Sequence, residues 1–278
     1  MTDLVADPSG LADYEFQRLE ITSPEPGVAL IRLNRPEKLN ALDPILFQEI
    51  AVAAERVAAD DEIRVGIYTG AGRGFCAGAD LGSIAELPDA TLTTFYEHQQ
   101  RGAEAIARIK RVPKPLIAAV NGPATGGGLA LALACDIRIA APEAKFNVAF
   151  VRLGISGADV GTSWLLPRVI GMGRASELML TGRFVEAEEA ERIGLVNSVV
   201  PAEELIGAAV AKAKEIMRNS PFGVRLTKEA LQLAVDAPSI EAAIAIENRN
   251  QVLASRTEDM GEAVAAFLQK REPRFKNR

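Results

Sequence analysis

The sequence predicts a mixed α/β protein that continues into a purely helical region. Two β-rich runs, residues 28–33 (VALIRL) and 65–69 (VGIYT), flank a segment at 44–59 whose apolar residues recur at helical spacing. Strands that alternate with helices favour a mostly parallel sheet. Because later residues show no strand pattern, we predict an α/β core over 1–205 and a C-terminal helical oligomerisation region over 206–278.

The sequence also predicts where the first helix begins and the order of the elements in a second unit of strands and helices. Asp43 supplies an N-cap oxygen and Pro44 suits the first helical turn. The second unit comprises a polar helix at 90–110, a strand at 115–120, a glycine run at 126–128 that opens an apolar helix, and a strand at 137–140. This repeat of strands and helices supports the α/β prediction.

The helical region carries more apolar surface than a short appendage can bury on itself. Helical patterns occur at 203–218, 222–235, 239–254 and 260–270. Apolar positions such as Ala242, Ile246 and Val252 therefore need a partner. We expect them to pack against the core or against another subunit.

Composition and charge exclude several functional classes. The 278 residues are 48% hydrophobic and 24% charged, which suits a globular protein with a full core. A formal net charge of -6 repels phosphate polymers, so we expect no nucleic-acid binding. The single histidine, His98, leaves no basis for a histidine triad or a multi-histidine metal site, and we expect it on a helix surface.

Cysteine usage and the N-terminus indicate the compartment. Cys76 and Cys135 do not form a Cys-x-x-Cys pair, so disulfide stapling and a structural zinc site both lack their usual spacing. Asp3 and Asp7 stand where a signal peptide would carry cations, and no apolar run reaches membrane-spanning length. We expect a cytoplasmic protein without membrane association.

Two glycine-rich segments, residues 70–80 and 121–128, each follow a predicted strand. Phe75 replaces the third glycine of Gly-x-Gly-x-x-Gly, and no Gly-Lys-Ser/Thr follows, so nucleotide-binding motifs are absent. The N–H groups at the helix start after Gly126 favour an anion, and a second N–H from the Gly78-Ala79 turn would complete an oxyanion site. Taken singly, each segment is also explained by tight turns and close packing.

Four longer segments, taken together, resemble the enoyl-CoA hydratase/isomerase (crotonase) superfamily. The segments are LNRPEKLNAL (33–42), GFCAGADL (74–81), PLIAAVNGPATGGGLALALACDIRIA (115–140) and IGMGRASELMLTGRFVEAEEAERIGLVNSVVP (170–201). They stand in the family order, and the resemblance extends to the tail AAFLQKREPRFK. It implies a crotonase-like spiral of ββα units and a homotrimer or dimer of trimers assembled through the C-terminal helices.

The resemblance also implies an acyl-CoA thioester substrate, with coenzyme A as part of that substrate and no prosthetic group. The main-chain N–H groups of Ala79 and Gly127 would form an oxyanion hole around the thioester carbonyl. The resemblance also places a set of residues along the coenzyme A channel: Lys38, Leu39, Ala77, Asp80 and Leu81. In the tail, Phe267 and Lys270 match positions that approach the nucleotide of a neighbouring subunit.

The sequence departs from the family pattern where hydratases carry two glutamates. Ala130 and Phe150 occupy those positions, and neither side chain transfers a proton, so the two-glutamate hydration mechanism is not available. The nearest titratable replacement is Asp159, in a Gly-Ala-Asp-Val-Gly-Thr run that resembles the proton-shuttling segment of dienoyl-CoA isomerases. Those isomerases also carry acids at the two missing positions.

Two interpretations of Asp159 remain open on the sequence. An apolar pocket that includes Phe150, Ile155 and Trp164 would alter its proton affinity and suit it to proton transfer. Alternatively, Asp159 is an N-cap for a helix that begins near Val160. The two roles are compatible.

Three functional hypotheses follow. The first is an enzyme that stabilises a thioester enolate with Ala79 and Gly127 and uses Asp159 as its proton carrier, for double-bond isomerisation or hydration of an enoyl-CoA. The second is an acyl-CoA-binding member of the family without hydratase activity. The third is a decarboxylase or hydrolase of coenzyme A thioesters, in which the oxyanion hole does most of the catalysis.

Overall fold

The computed structural model describes residues 14–82 and 91–277. The strands of this part are β1 (Leu19–Glu25), β2 (Val28–Leu33), β3 (Val65–Gly70), β4 (Leu116–Val120), β5 (Ala124–Thr125), β6 (Ile137–Ala140), β7 (Lys145–Asn147), β8 (Val185–Glu186) and β9 (Ser198–Val199). The α-helices are α1 (Pro44–Ala59), α2 (Leu92–Arg111), α3 (Gly127–Ala134), α4 (Thr162–Ile170), α5 (Met172–Thr181), α6 (Ala187–Arg192), α7 (Leu205–Met217), α8 (Pro221–Ala234), α9 (Ile240–Ala254) and α10 (Glu258–Gln269).

A six-stranded sheet forms the centre of the fold. Its strand order is β1-β2-β3-β4-β6-β9, with β1 antiparallel to β2 and the other neighbours parallel. The prediction of a mostly parallel sheet is thus confirmed. A smaller sheet has the order β5-β7-β8 and lies beyond the carboxyl end of β4 in the chain.

Helix α1 begins where the sequence predicts. The Asp43 carboxylate accepts a hydrogen bond of 2.8 Å from the Leu46 N–H, and Pro44 occupies the first turn. The apolar face of the helix, which includes Ile50 and Val57, is buried in the main core beside the sheet. Burial of these side chains fixes the helix against the strands that lead to the site.

The predicted C-terminal helices are confirmed as α7 to α10, with ends that differ by at most two residues from the predicted ones. Helix α7 buries Leu205, Ala209 and Ala213 against one face of the central sheet. Helices α9 and α10 keep apolar side chains on the surface, and Phe267, for example, is 83% exposed. Among the described helices none combines the length and apolarity needed to cross a bilayer.

The register of β3 and β4 positions the glycine-rich segments. The two strands are parallel neighbours, with Tyr68 opposite Ala118. Their carboxyl ends therefore point to the same edge of the sheet, which is where parallel α/β sheets build their sites. The segments that leave these ends, 71–80 and 121–126, are consequently brought side by side.

Candidate active site

The two glycine-rich segments are joined by main-chain hydrogen bonds. The Cys76 N–H donates to the Pro123 carbonyl at 3.0 Å, and the Thr125 N–H donates to the Cys76 carbonyl at 3.0 Å. Cys76 and Ala124 thereby form an isolated parallel bridge. This bridge locks the turn at Gly78 against the segment that opens α3.

The turn at Gly78 lies in direct contact with the N-terminus of α3. Gly78 has a φ of +86°, and a Cβ added to it would lie 2.7 Å from the Thr125 carbonyl oxygen and 3.4 Å from the Gly127 nitrogen. A side chain has no room there, so glycine is required both by conformation and by space. The structure therefore brings Ala79, the next residue, and Gly127 together.

Both main-chain N–H groups are free to bind a ligand. Ala79 forms a parallel bridge with Leu42, in which Leu42 N–H donates to the Gly78 carbonyl and Asp80 N–H donates to the Leu42 carbonyl. This pattern leaves the Ala79 N–H on the side away from Leu42. Gly127 is the first residue of α3, where an N–H has no intrahelical acceptor. Within residues 14–82 and 91–277 neither N–H donates to another protein group.

The two positions that the family resemblance assigns to the hydratase glutamates are apolar and buried. Ala130 lies in the first turns of α3 with no exposed surface, and Phe150 is 6% exposed. The Phe150 ring lies against Gly126, since a Cβ added there would be 3.3 Å from the ring. An aromatic ring thus fills the space beside the start of α3, and neither residue can carry a proton.

Asp159, the proton carrier expected from the sequence, lies in the loop before α4. Its Oδ1 accepts hydrogen bonds from the Val160 N–H, at 2.8 Å, and from the Gln99 side-chain amide. Gln99 lies on α2, which packs against α3. Burial raises the pKa of the half-buried Asp159 carboxyl above its usual value, and the two hydrogen bonds oppose that rise.

The structure corrects two expectations about Asp159. Helix α4 begins at Thr162 with Gly161 as its N-cap and without a side-chain cap, so the prediction that Asp159 caps a helix starting near Val160 is wrong. The predicted apolar pocket is also wrong in part, because Ile155 and Trp164 are 54% and 40% exposed.

The residues expected around coenzyme A fall into two groups. Lys38 ends a short 3-10 helix and is exposed. The Leu39 carbonyl accepts a hydrogen bond from the Ala77 N–H at 3.0 Å. The Leu81 side chain is 54% exposed. These residues surround the Ala79 turn. Phe267 and Lys270 lie together at the end of α10, and no contact within the described residues joins them to that turn.

Asp80 has a structural partner that the sequence analysis did not identify. Its carboxylate accepts a hydrogen bond of 2.9 Å from the Arg35 guanidinium, which also lies 3.4 Å from Asp43 and donates to the Ala41 carbonyl at 2.5 Å. All three charged side chains are buried. The hydrogen bond from Arg35 lowers the pKa of Asp80 despite burial, so Asp80 stays ionised and ties the Ala79 turn to the start of α1.

Two other charged residues, Asp136 and Arg152, have their contacts elsewhere in the fold. Asp136 accepts a hydrogen bond from the Leu116 N–H and pairs with Lys228 at 2.6 Å, which gives it a structural role. Arg152 is exposed and stands 5.8 Å from the Phe184 ring. No cluster of three or more histidine, cysteine, aspartate or glutamate side chains suited to a metal ion occurs in the described part of the chain.

Comparison with known proteins agrees with the geometry. The profile of the enoyl-CoA hydratase/isomerase family matches residues 23–278. A Mycobacterium tuberculosis protein named probable enoyl-CoA hydratase EchA12 is 44% identical over 260 residues, which cover 92% of this chain and 91% of that protein. The Escherichia coli 1,2-epoxyphenylacetyl-CoA isomerase is 40% identical over 258 residues, which cover 90% of this chain and 95% of that protein.

Solved structures share the fold. An enoyl-CoA hydratase from Bacillus anthracis superposes with a TM-score of 0.90 at 36% identity, covering 94% of this chain and all of that one. A probable enoyl-CoA hydratase/isomerase from Mycobacterium abscessus gives a TM-score of 0.87 at 39% identity, covering 94% of this chain and all of that one. The fold, the site and these relatives lead to one conclusion: the chain is an acyl-CoA enzyme of the enoyl-CoA hydratase/isomerase (crotonase) family.

Proposed function

We propose that this enzyme moves a double bond within an enoyl-CoA, with Asp159 carrying the proton and the Ala79 and Gly127 N–H groups holding the thioester oxygen. The observation that carries the proposal is the pair of buried apolar side chains, Ala130 and Phe150, at the positions where hydratases carry glutamate. One carboxyl group is sufficient for isomerisation, since the proton it removes is the proton it returns.

The proposed reaction balances with this one group. The Asp159 carboxylate removes a proton from the α carbon of a 3-enoyl-CoA, and the electron pair moves to the thioester oxygen as a dienolate. The N–H groups of Ala79 and Gly127 stabilise that oxyanion. The carboxyl group then returns the proton to the γ carbon, which gives the 2-enoyl-CoA, and no oxidant or metal is consumed.

Hydration of a 2-enoyl-CoA is the second outcome to test. It requires a water molecule held beside the β carbon and a group that activates it. Phe150 excludes water from the space beside Gly126, which disfavours this reaction.

The test uses a 3-enoyl-CoA and crotonyl-CoA as separate substrates for the wild type and for Asp159→Asn. We expect the wild type to isomerise the first faster than it hydrates the second, and Asp159→Asn to lose about 10²- to 10⁴-fold in isomerisation. Asp61→Asn, at an exposed position, is the matched control and keeps wild-type turnover. Full activity in Asp159→Asn contradicts the proposal.

Two further results would point to the other hypotheses. Tight binding of several acyl-CoAs without turnover supports a binding protein that has lost its chemistry. Release of free coenzyme A or of carbon dioxide supports a hydrolase or decarboxylase. Either result replaces isomerisation as the function.

We also propose an oligomeric state and a cellular location for the enzyme. Exposed apolar side chains on α9 and α10, among them Ile240, Val252 and Phe267, favour assembly as a homotrimer or dimer of trimers with 206–278 as its contact region. Phe267 and Lys270 would then approach coenzyme A bound to a neighbour. The proposal includes a cytoplasmic location and no prosthetic group, and light scattering on the purified protein tests the assembly.

A further inference from the structure

The hydrogen bonds of the Asp159 carboxyl group all fall on one oxygen. Oδ1 accepts from the Val160 N–H at 2.8 Å and from the Gln99 side-chain amide. Oδ2 accepts no hydrogen bond from any described residue. The carboxyl group therefore has one oxygen that is fixed and one that is available.

We propose that Gln99 is a positioning residue that fixes Oδ1 of Asp159 and leaves Oδ2 to remove and return the substrate proton. The inference rests on the proposed isomerase function and adds a residue from a separate helix to it. Gln99 and Asp159 are 60 positions apart in the sequence, and the contact exists only in the folded chain.

An amide is chemically suited to this position. Its NH₂ group donates at every pH at which the protein is folded, whereas a histidine or a carboxyl group would titrate. Donation to the ionised carboxylate opposes the rise in pKa that burial causes. Gln99 thereby favours the carboxylate form of Asp159, which is the form that acts as a base.

The backbone at Val160 supports the same orientation. Val160 has a φ of +41°, which is rare for a β-branched residue and marks strained backbone. At this strained position the Val160 N–H donates to Oδ1 of the preceding side chain. Two donors on one oxygen, from α2 and from the loop itself, restrict rotation of the carboxyl group.

Charged groups of the surrounding elements do not account for the shifted pKa of Asp159. On α2, His98 and Arg101 line the groove that faces α1. Arg152, from the turn before the loop, lies beside the Phe184 ring, and Arg168 on α4 lies 3.9 Å from the Trp164 ring centre. In the described chain, burial and the two hydrogen bonds are the causes that shift the pKa of Asp159.

The test is the pH dependence of kcat/KM for isomerisation in Gln99→Leu. Loss of a hydrogen bond to the carboxylate raises the pKa of Asp159, so the acid limb of the profile moves upward by about one pH unit. The kcat falls about tenfold because the carboxyl group can rotate, while KM changes less than about twofold. Gln100→Leu is the matched control, because that exposed amide contacts Tyr96 instead.

A second variant keeps the inference testable if Gln99→Leu folds poorly. In Gln99→Glu two carboxyl groups meet and cannot both ionise, so the acid limb again moves upward. An acid limb that stays in place in the folded Gln99 variants overturns the inference, whatever happens to kcat. If Asp159→Asn is inactive at the same time, the proposed function stands. An active Asp159→Asn refutes the proposed function itself.

Discussion

Substitution Gly78→Ala tests whether the contact between the two glycine-rich segments creates the oxyanion hole. The new Cβ would lie 2.7 Å from the Thr125 carbonyl oxygen and 3.4 Å from the Gly127 nitrogen. Both neighbours are main-chain atoms, so no flexible side chain can move aside. The substitution therefore has to separate the Ala79 turn from the start of α3.

The size of the effect follows from these distances. A carbon–oxygen contact relaxes to about 3.3 Å, so the turn moves by roughly 0.6 Å from Thr125. An alanine at positive φ costs about 1–2 kcal/mol of folding free energy in addition. Since loss of one oxyanion donor costs about 10²- to 10³-fold in kcat, we expect a fall of about 10²-fold for this partial misplacement.

The assay measures isomerisation of a 3-enoyl-CoA as a function of pH, together with the melting temperature. We expect kcat to fall while the acid limb of the profile stays in place, because Asp159 is not altered. Gly207→Ala, in an exposed turn of α7 with no atom near its added Cβ, is the control and keeps wild-type kcat. A folded Gly78→Ala enzyme within about threefold of wild-type kcat would refute the reasoning.

Three other predictions test the site and its support. The raised pKa of Asp159 places the acid limb of kcat/KM above the ordinary aspartate value of about 3.9, and this limb disappears in Asp159→Asn. Arg35→Met breaks a buried ion pair and lowers the free energy of unfolding by about 3 kcal/mol at pH 7. Because the pKa of Asp80 is lowered in the folded protein, this difference shrinks as pH falls below about 4, which urea titrations at several pH values check. Burial raises the pKa of both Cys76 and Cys135 to about 12, so Ellman's reagent at pH 8 finds no rapidly reacting thiol in the native protein and two after unfolding. Immediate labelling of the native protein would contradict this burial.

The sequence predicted those parts of the fold that rest on local patterns. Helix α1 has an N-cap, a first-turn proline and a periodic apolar face, and the strands β2 to β4 are mostly apolar runs rich in β-branched residues. Strand β1 was missed because its outer residues are polar and exposed, as an edge strand tolerates. The short strands β5 and β7 have two and three residues, which is too few to show a period.

The sequence indicates the parts of the candidate site that depend on a required glycine. It does not indicate contacts between side chains that are far apart in the chain. The requirement for glycine at Gly78 is a local property of one turn, so the segment was visible in the sequence. The contact of Gln99 with Asp159 depends on how α2 packs, and nothing in the residues around Gln99 marks it. Arg35 was missed for the same reason, since a buried arginine is unusual and its partners lie elsewhere in the chain.

The proposed mechanism separates oxyanion binding from proton transfer, so it requires neither of the two hydratase glutamates. Main-chain N–H groups at Ala79 and Gly127 do not depend on the side chains at Ala130 and Phe150, so substitutions there leave the hole in place. What the substitutions change is the position of the proton carrier and the access of water. In the proposed reaction, the Phe150 ring beside the start of α3 keeps water from the enolate, and the Asp159 carboxyl group exchanges a proton with it. Isomerisation needs no water, whereas hydration does, and that difference in requirement is the physical reason why we propose isomerisation for this enzyme.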